Sequence, residues 1–105
     1  MNLKGSLPLL VLNVLADGPN HGYQIAKLIK DRSDGVLDFK EGTLYPALHA
    51  LEKQRLIEAA ERTVNGRQRR YYHITDSGLA VLAEQQAEWS RYAEAVNRVL
   101  RGNEA

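Results

Sequence analysis

The chain has 105 residues, of which 44% are hydrophobic and 26% charged, with a formal net charge of only +1. That composition supports one modest core and excludes a disordered or low-complexity protein. There is no cysteine, so disulfides and thiolate metal sites are excluded, and the long apolar run Leu7 to Ala16 is too short to cross a bilayer. No signal-cleavage pattern follows it, and a cytoplasmic location is the expectation.

Ser6 is a good N-cap for a first helix, with Pro8 tolerated in the first turn. Leu7, Leu9, Leu10, Val11, Leu12, Val14 and Leu15 leave that helix almost no polar side, so it should be buried. Asp17-Gly18-Pro19-Asn20 stops it with strong turn chemistry. A second helix is expected from about His21 to Arg32, with Ile25, Ala26, Leu28 and Ile29 as its apolar stripe, until Asp34-Gly35 breaks the pattern. The third helix is expected to start at Thr43 as N-cap, placing Pro46 in the first turn, where a missing N–H costs nothing. Leu44, Leu48 and Leu51 mark its buried side, and Gly42, Pro46, His49 and Lys53 lie opposite. That outer side is bare and poor in acids, so another surface can come close.

A hairpin follows, with Ile57 to Thr63 and Gln68 to Ile74 as strands. Asn65-Gly66 is the strongest short-range signal for a type I′ turn, which needs positive φ at both central residues. With that turn, Ile57 faces Ile74, Ala59 faces Tyr72, Glu61 faces Arg70 and Arg62 faces Arg69, with Arg67 at the tip. Tyr71 and Tyr72 should pack under the hairpin. Like charges directly across a ladder destabilise it, and an external polyanion would relieve the conflict. Arg70 can instead pair with Glu61, and a solvated surface is the plain alternative for all these arginines.

The last helix should run from Asp76 to Arg101, roughly 39 Å at 1.5 Å per residue. Leu79, Leu82, Gln86, Trp89, Ala93, Val96 and Leu100 recur at steps of three and four, the pattern of a coiled-coil seam. A helix this long cannot bury its stripe on so small a body, and a second copy related by twofold symmetry is the simplest partner. Charge divides the same way, with +3 from Lys40 to His73 and −2 from Ile74 onward.

The resulting order is helix, helix, helix, hairpin, long helix. It reads as a mainly α protein with a small β-hairpin (α+β): a winged helix-turn-helix over residues 1–75 and a C-terminal dimerisation helix over 76–105, in one continuous unit. In that layout the third helix enters a major groove and the wing reaches phosphates or the adjacent minor groove. Thr43, Tyr45 and His49 can hydrogen-bond phosphates or base edges, and Lys40, Lys53, Arg67, Arg69 and Arg70 can neutralise phosphates. His21 reads as structural, and His73 needs no role.

Catalysis has no support. The three histidines lack metal-ligand spacing, no glycine-rich phosphate loop follows a strand, and no nucleophile elbow is present. Neither a metal nor a cofactor is expected. The competing class is a winged-helix protein-interaction module without DNA binding. Salt dependence separates the two, because phosphate binding releases counterions.

Four blocks carry a family resemblance. They are Leu7-Pro8-Leu9-Leu10-Val11-Leu12, His21-Gly22-Tyr23-Gln24-Ile25, Gly42-Thr43-Leu44-Tyr45-Pro46-Ala47-Leu48 with Leu51-Glu52, and Gly66-Arg67 through Arg70-Tyr71-Tyr72 with Ile74-Thr75. Together, in this order, they resemble the PadR family, in particular its short subfamily with a single C-terminal helix. The resemblance implies a prokaryotic transcription factor, usually a repressor, that binds a palindromic operator as a dimer and commonly releases it when a small effector binds. Glu41 departs from the pattern, since an acid there would face phosphate unfavourably.

Trp89 has two readings. It is a large filler at a seam position, or it meets its own copy across the twofold axis and leaves a slot for a planar aromatic molecule. In the second reading small Ala93 leaves room and Gln86 offers an orienting hydrogen bond, although Gln86 can also simply fix register. The resemblance supports a slot, since short PadR-like proteins with a tryptophan in this setting can bind planar drugs between subunits.

Overall fold

A computed structural model describes residues 3–102, which fold as four α-helices and a three-stranded antiparallel sheet. The α+β winged helix-turn-helix with its long C-terminal helix is as expected. After a 3-10 turn at Leu3–Ser6 comes α1 (Leu7–Ala16), followed by β1 (Asn20–His21), α2 (Gly22–Arg32), α3 (Glu41–Lys53), β2 (Ile57–Val64), β3 (Arg67–Ile74) and α4 (Asp76–Arg101).

The apolar run of α1 makes it the hub of the core. Leu7, Val11, Leu12, Val14 and Leu15 are buried against Ile25 and Ile29 of α2, Leu44, Leu48 and Leu51 of α3, and Ile57 and Tyr72 of the hairpin. A fully buried side chain of this size contributes about 1.5–3 kcal/mol, so these residues dominate the stability of the winged domain. From α4, Leu82, 7% exposed, joins this core, and Val81 packs against it.

Two element starts differ from the sequence reading. Helix α2 begins at Gly22 because Asn20 and His21 form β1, paired with Tyr72 and Tyr71 of β3. Two residues are too few to leave a period-two signature. Helix α3 begins at Glu41 with Lys40 as N-cap, since the Thr43 and Leu44 N–H groups both donate to the Lys40 carbonyl at 3.0 and 2.9 Å. Thr43 therefore lies inside the first turn and is not the cap. Pro46 is the sixth helical residue, beyond the first turn. Its missing N–H leaves the exposed Gly42 carbonyl to water. The earlier start also explains Glu41, which occupies the first helical position, where an acid is stabilised by the helix dipole.

The hairpin pairs in the expected register, with Ile57 facing Ile74, Glu61 facing Arg70 and Arg62 facing Arg69. Asn65 and Gly66 turn the chain with φ of 53° and 77°. Thr75 then caps α4, its Oγ1 accepting the Gly78 N–H at 3.0 Å and donating to the Arg55 carbonyl at 2.8 Å. Gly78 is needed for close approach, because a Cβ there would lie 2.2 Å from the Leu56 carbonyl oxygen. These contacts fix the direction in which α4 leaves the body, and they stretch the molecule to 61 × 28 × 22 Å. Among the described residues no helix is long and apolar enough to cross a membrane.

Candidate nucleic-acid interface

Strand alternation divides the hairpin arginines between two faces. Arg70 lies on the side of buried Tyr72, with its guanidinium 2.7 Å from Glu52 of α3, 3.8 Å from Glu61 and over the Tyr72 ring at 5.8 Å. It ties the wing to α3. Arg62, Arg67 and Arg69 share the other, outward side. Among the described residues no carboxylate comes within 4.0 Å of any of the three. The facing pair Arg62 and Arg69 is accommodated by aromatic neighbours. Arg62 sits 4.9 Å above the Tyr71 ring, and Arg69 lies along the His21 ring.

His21 holds this corner together. Its Nδ1 accepts the Gln24 N–H at 3.4 Å, which caps α2, while Arg69 Nη1 lies 3.2 Å from Nε2. The Tyr71 ring meets its edge at 5.4 Å and Tyr23 stacks at 6.4 Å. Burial, and then the Arg69 charge, lower the imidazole pKa from its ordinary value. A hollow of about 490 Å³ opens here, walled by His21, Tyr23, Gln24, Arg67, Arg69 and Tyr71 among others.

Tyr23, 68% exposed, also borders a second hollow of about 380 Å³ between α2 and α3. Lys27, Lys30, Lys40 and Tyr45 line that one. The wing, the start of α2 and the start of α3 thus form one continuous surface. Tyr45 packs over the beginning of α2, where a Cβ on Gly22 would come within 2.7 Å of its hydroxyl. Tyr45, His49 and Lys53 are exposed along α3, and Thr43 is half-buried. The lysines around the second hollow are compensated: Lys30 and Lys40 share Asp38 at 3.6 and 3.3 Å, and Lys27 pairs with Asp31 at 3.0 Å. Of the basic residues singled out from sequence, Lys53, Arg67 and Arg69 have no carboxylate within 4.0 Å among the described residues, whereas Lys40 and Arg70 do.

His21 and Tyr23 belong to this surface although sequence reasoning gave them no part in it, and so does Arg62, known from sequence only through its conflict with Arg69. The clash of Arg62 with Arg69 was a readable signal. For His21 the missing information was β1, which swings it under the wing.

A different site lies on α4. Trp89 and Tyr92, with ring centroids 6.2 Å apart, line a hollow of about 480 Å³ against Pro8 and Leu9 at the start of α1, with Gln85 and Glu88 also on its wall. Gln86 and Ala93 do not line it. Along the expected seam, Leu79, Trp89, Val96 and Leu100 are exposed and Ala93 is half-buried. Leu82 is the exception, since the chain's own core already buries it. Among the described residues no cluster of side chains could hold a metal ion.

Residues 11–84 match the transcriptional regulator PadR-like family. The chain is 36% identical to the transcriptional regulator Rv3488 of Mycobacterium tuberculosis over 93 residues, covering 89% of this chain and 84% of that protein. A transcriptional regulator of Clostridium thermocellum superimposes with a TM-score of 0.83 at 31% identity, covering 90% of this chain and 89% of the other. Bacillus subtilis PadR in complex with operator DNA superimposes with a TM-score of 0.69 at 25% identity, over 76% of this chain and 46% of the other.

Proposed function

This chain belongs to the PadR-like family of transcriptional regulators, and from that premise we propose that it binds double-stranded DNA as a homodimer on a palindromic operator and represses transcription until a small molecule releases it. The observation that carries the reading is the outward side of the wing. Three arginines crowd it with no carboxylate within 4.0 Å among the described residues, on a surface continuous with the exposed side of α3. A phosphate backbone supplies the missing counter-charge. Arg67 and Arg69 neutralise phosphates beside the wing, and Arg62 joins them. Thr43, Tyr45, His49 and Lys53 present α3 to the major groove, with Lys40 at its start.

The exposed apolar residues of α4 pair with those of a second copy, through Leu79, Trp89, Val96 and Leu100 and without Leu82. The paired helices set the distance between two α3 helices to about one turn of DNA, roughly 34 Å. A planar aromatic molecule held at Trp89 and Tyr92 would alter that spacing. It shifts DNA binding only by its difference in affinity for the two arrangements. Glu41, an acid that would face phosphate unfavourably, is accounted for by its place in the first turn of α3 and so does not favour the rival protein-interaction reading.

The test is a titration against the DNA upstream of the gene and against a shuffled duplex, at about 50 and 200 mM salt. Tight, salt-sensitive binding that prefers the upstream fragment is expected. No binding to either duplex at the lower salt overturns the reading. For the effector, planar aromatic dyes should quench Trp89 fluorescence and bind free and DNA-bound protein with different affinities. Equal affinities would remove the ligand from the mechanism.

A further inference from the structure

We propose that His21 is a phosphate-contacting residue of this surface and that its imidazole takes up a proton as DNA binds. The inference rests on the DNA-binding reading above and adds a residue and a proton to it. In the free protein three features keep His21 neutral. Its Nδ1 must stay unprotonated to accept the Gln24 N–H, its ring is partly buried, and Arg69 lies 3.2 Å from Nε2. The other groups facing it are Tyr71 and Tyr23, with Arg67 across the hollow. Among the described residues no carboxylate lies within 4.0 Å of the ring to favour its charged form.

With Nδ1 accepting the Gln24 N–H, the neutral ring carries its proton on Nε2, so the 3.2 Å approach of Arg69 there sets donor against donor, and Arg69 Nη1 can donate only to Nδ1, at 3.4 Å. A phosphate drawn to the uncompensated arginines therefore finds an N–H donor beside them. Its negative charge opposes the field of Arg69 and favours the imidazolium. Protonation of Nδ1 sacrifices the cap of α2, but the phosphate charge is the stronger influence at hydrogen-bond distance. A group whose pKa is higher in the complex tightens binding on the acid side. That gain is complete below the free-state pKa and is lost as pH rises through the bound-state pKa. Each unit of increase is worth about tenfold in affinity per protomer.

Backbone contacts are insensitive to sequence, so a generic duplex of about 30 base pairs at about 50 mM salt is a sufficient probe. Calorimetric titration near pH 6.5 in two buffers of different ionisation heat counts the protons taken up. Wild type should take up roughly half a proton per protomer and bind at least about threefold tighter at pH 6 than at pH 7.5. His21→Asn keeps a capping oxygen and cannot titrate, so it should bind the duplex without either effect. Should that variant not fold, the His21 ring titration in free and DNA-bound wild type, followed by NMR, decides the matter alone. A bound-state pKa above the free-state value supports the proposal. An equal or lower value overturns it, as does unchanged proton uptake in His21→Asn. If wild type binds no duplex, the DNA reading itself fails. If it binds with salt sensitivity but without proton uptake, only the role of His21 fails.

Discussion

At the wing, Arg62, Arg67 and Arg69 crowd one side of a hairpin with no acid in reach among the described residues. At the far end of α4, Tyr92, Leu100 and Val99 stand 50%, 60% and 72% exposed. Both regions sit on a well-packed body, and each lacks a complement of a different kind. The arginines lack anions, and their attraction to a polyanion is screened by salt. The α4 residues lack apolar surface, and burying one Leu or Val contributes about 1.5–3 kcal/mol with little dependence on salt. Ionic strength is therefore the variable that separates the two ends, the proposed DNA contact at one and the proposed contact with a second copy at the other.

The largest expected effect breaks the joint between these regions. In Gly78→Ala the new methyl meets the Leu56 carbonyl oxygen, 2.2 Å from its ideal position, and backbone cannot move aside as a side chain would. A loss of about 3 kcal/mol is expected in urea denaturation, with α4 no longer held against the body. Next in size, Val96→Asp with Leu100→Asp should weaken self-association by about a hundredfold, because each copy places its charges in an apolar contact. Sedimentation at several concentrations reads this directly, and added salt should not restore the wild-type value. The smallest effect belongs to Arg70→Ala. Its pair with Glu52 is half-exposed and screened, so about 0.5–1 kcal/mol of stability should go, with duplex affinity changed less than about threefold.

Much of this was legible because periodicity and turn chemistry act locally. Asn65-Gly66 alone set the register that placed Arg62 against Arg69 and Glu61 against Arg70. The spacing of Leu44, Leu48 and Leu51 likewise identified the buried side of α3. What sequence reading missed depends on contacts between distant segments. The pairing of Asn20 and His21 with β3 comes from residues about fifty positions away, and it carries His21 to Arg69. Thr43 looked like the cap of α3, but the Lys40 carbonyl was already accepting the first helical hydrogen bonds. Leu82 fitted a heptad as well as Leu79 did, and only the position of α1 shows that one is consumed by the core and the other is not. Register already set Arg70 apart from Arg67 and Arg69 by placing Glu61 opposite it, and the fold adds Glu52 as its nearer partner.

That distinction gives the most direct test of the central claim. The slope of log affinity against log salt should be measured for a duplex bound by wild type, by Arg67→Ala/Arg69→Ala and by Arg70→Ala. Counterion release predicts a slope shallower by about 0.9 for each phosphate-contacting arginine removed. The double variant should lose close to twice that per protomer, and Arg70→Ala should keep the wild-type slope. Equal slopes for wild type and the double variant would contradict the assignment of the outward wing to phosphate.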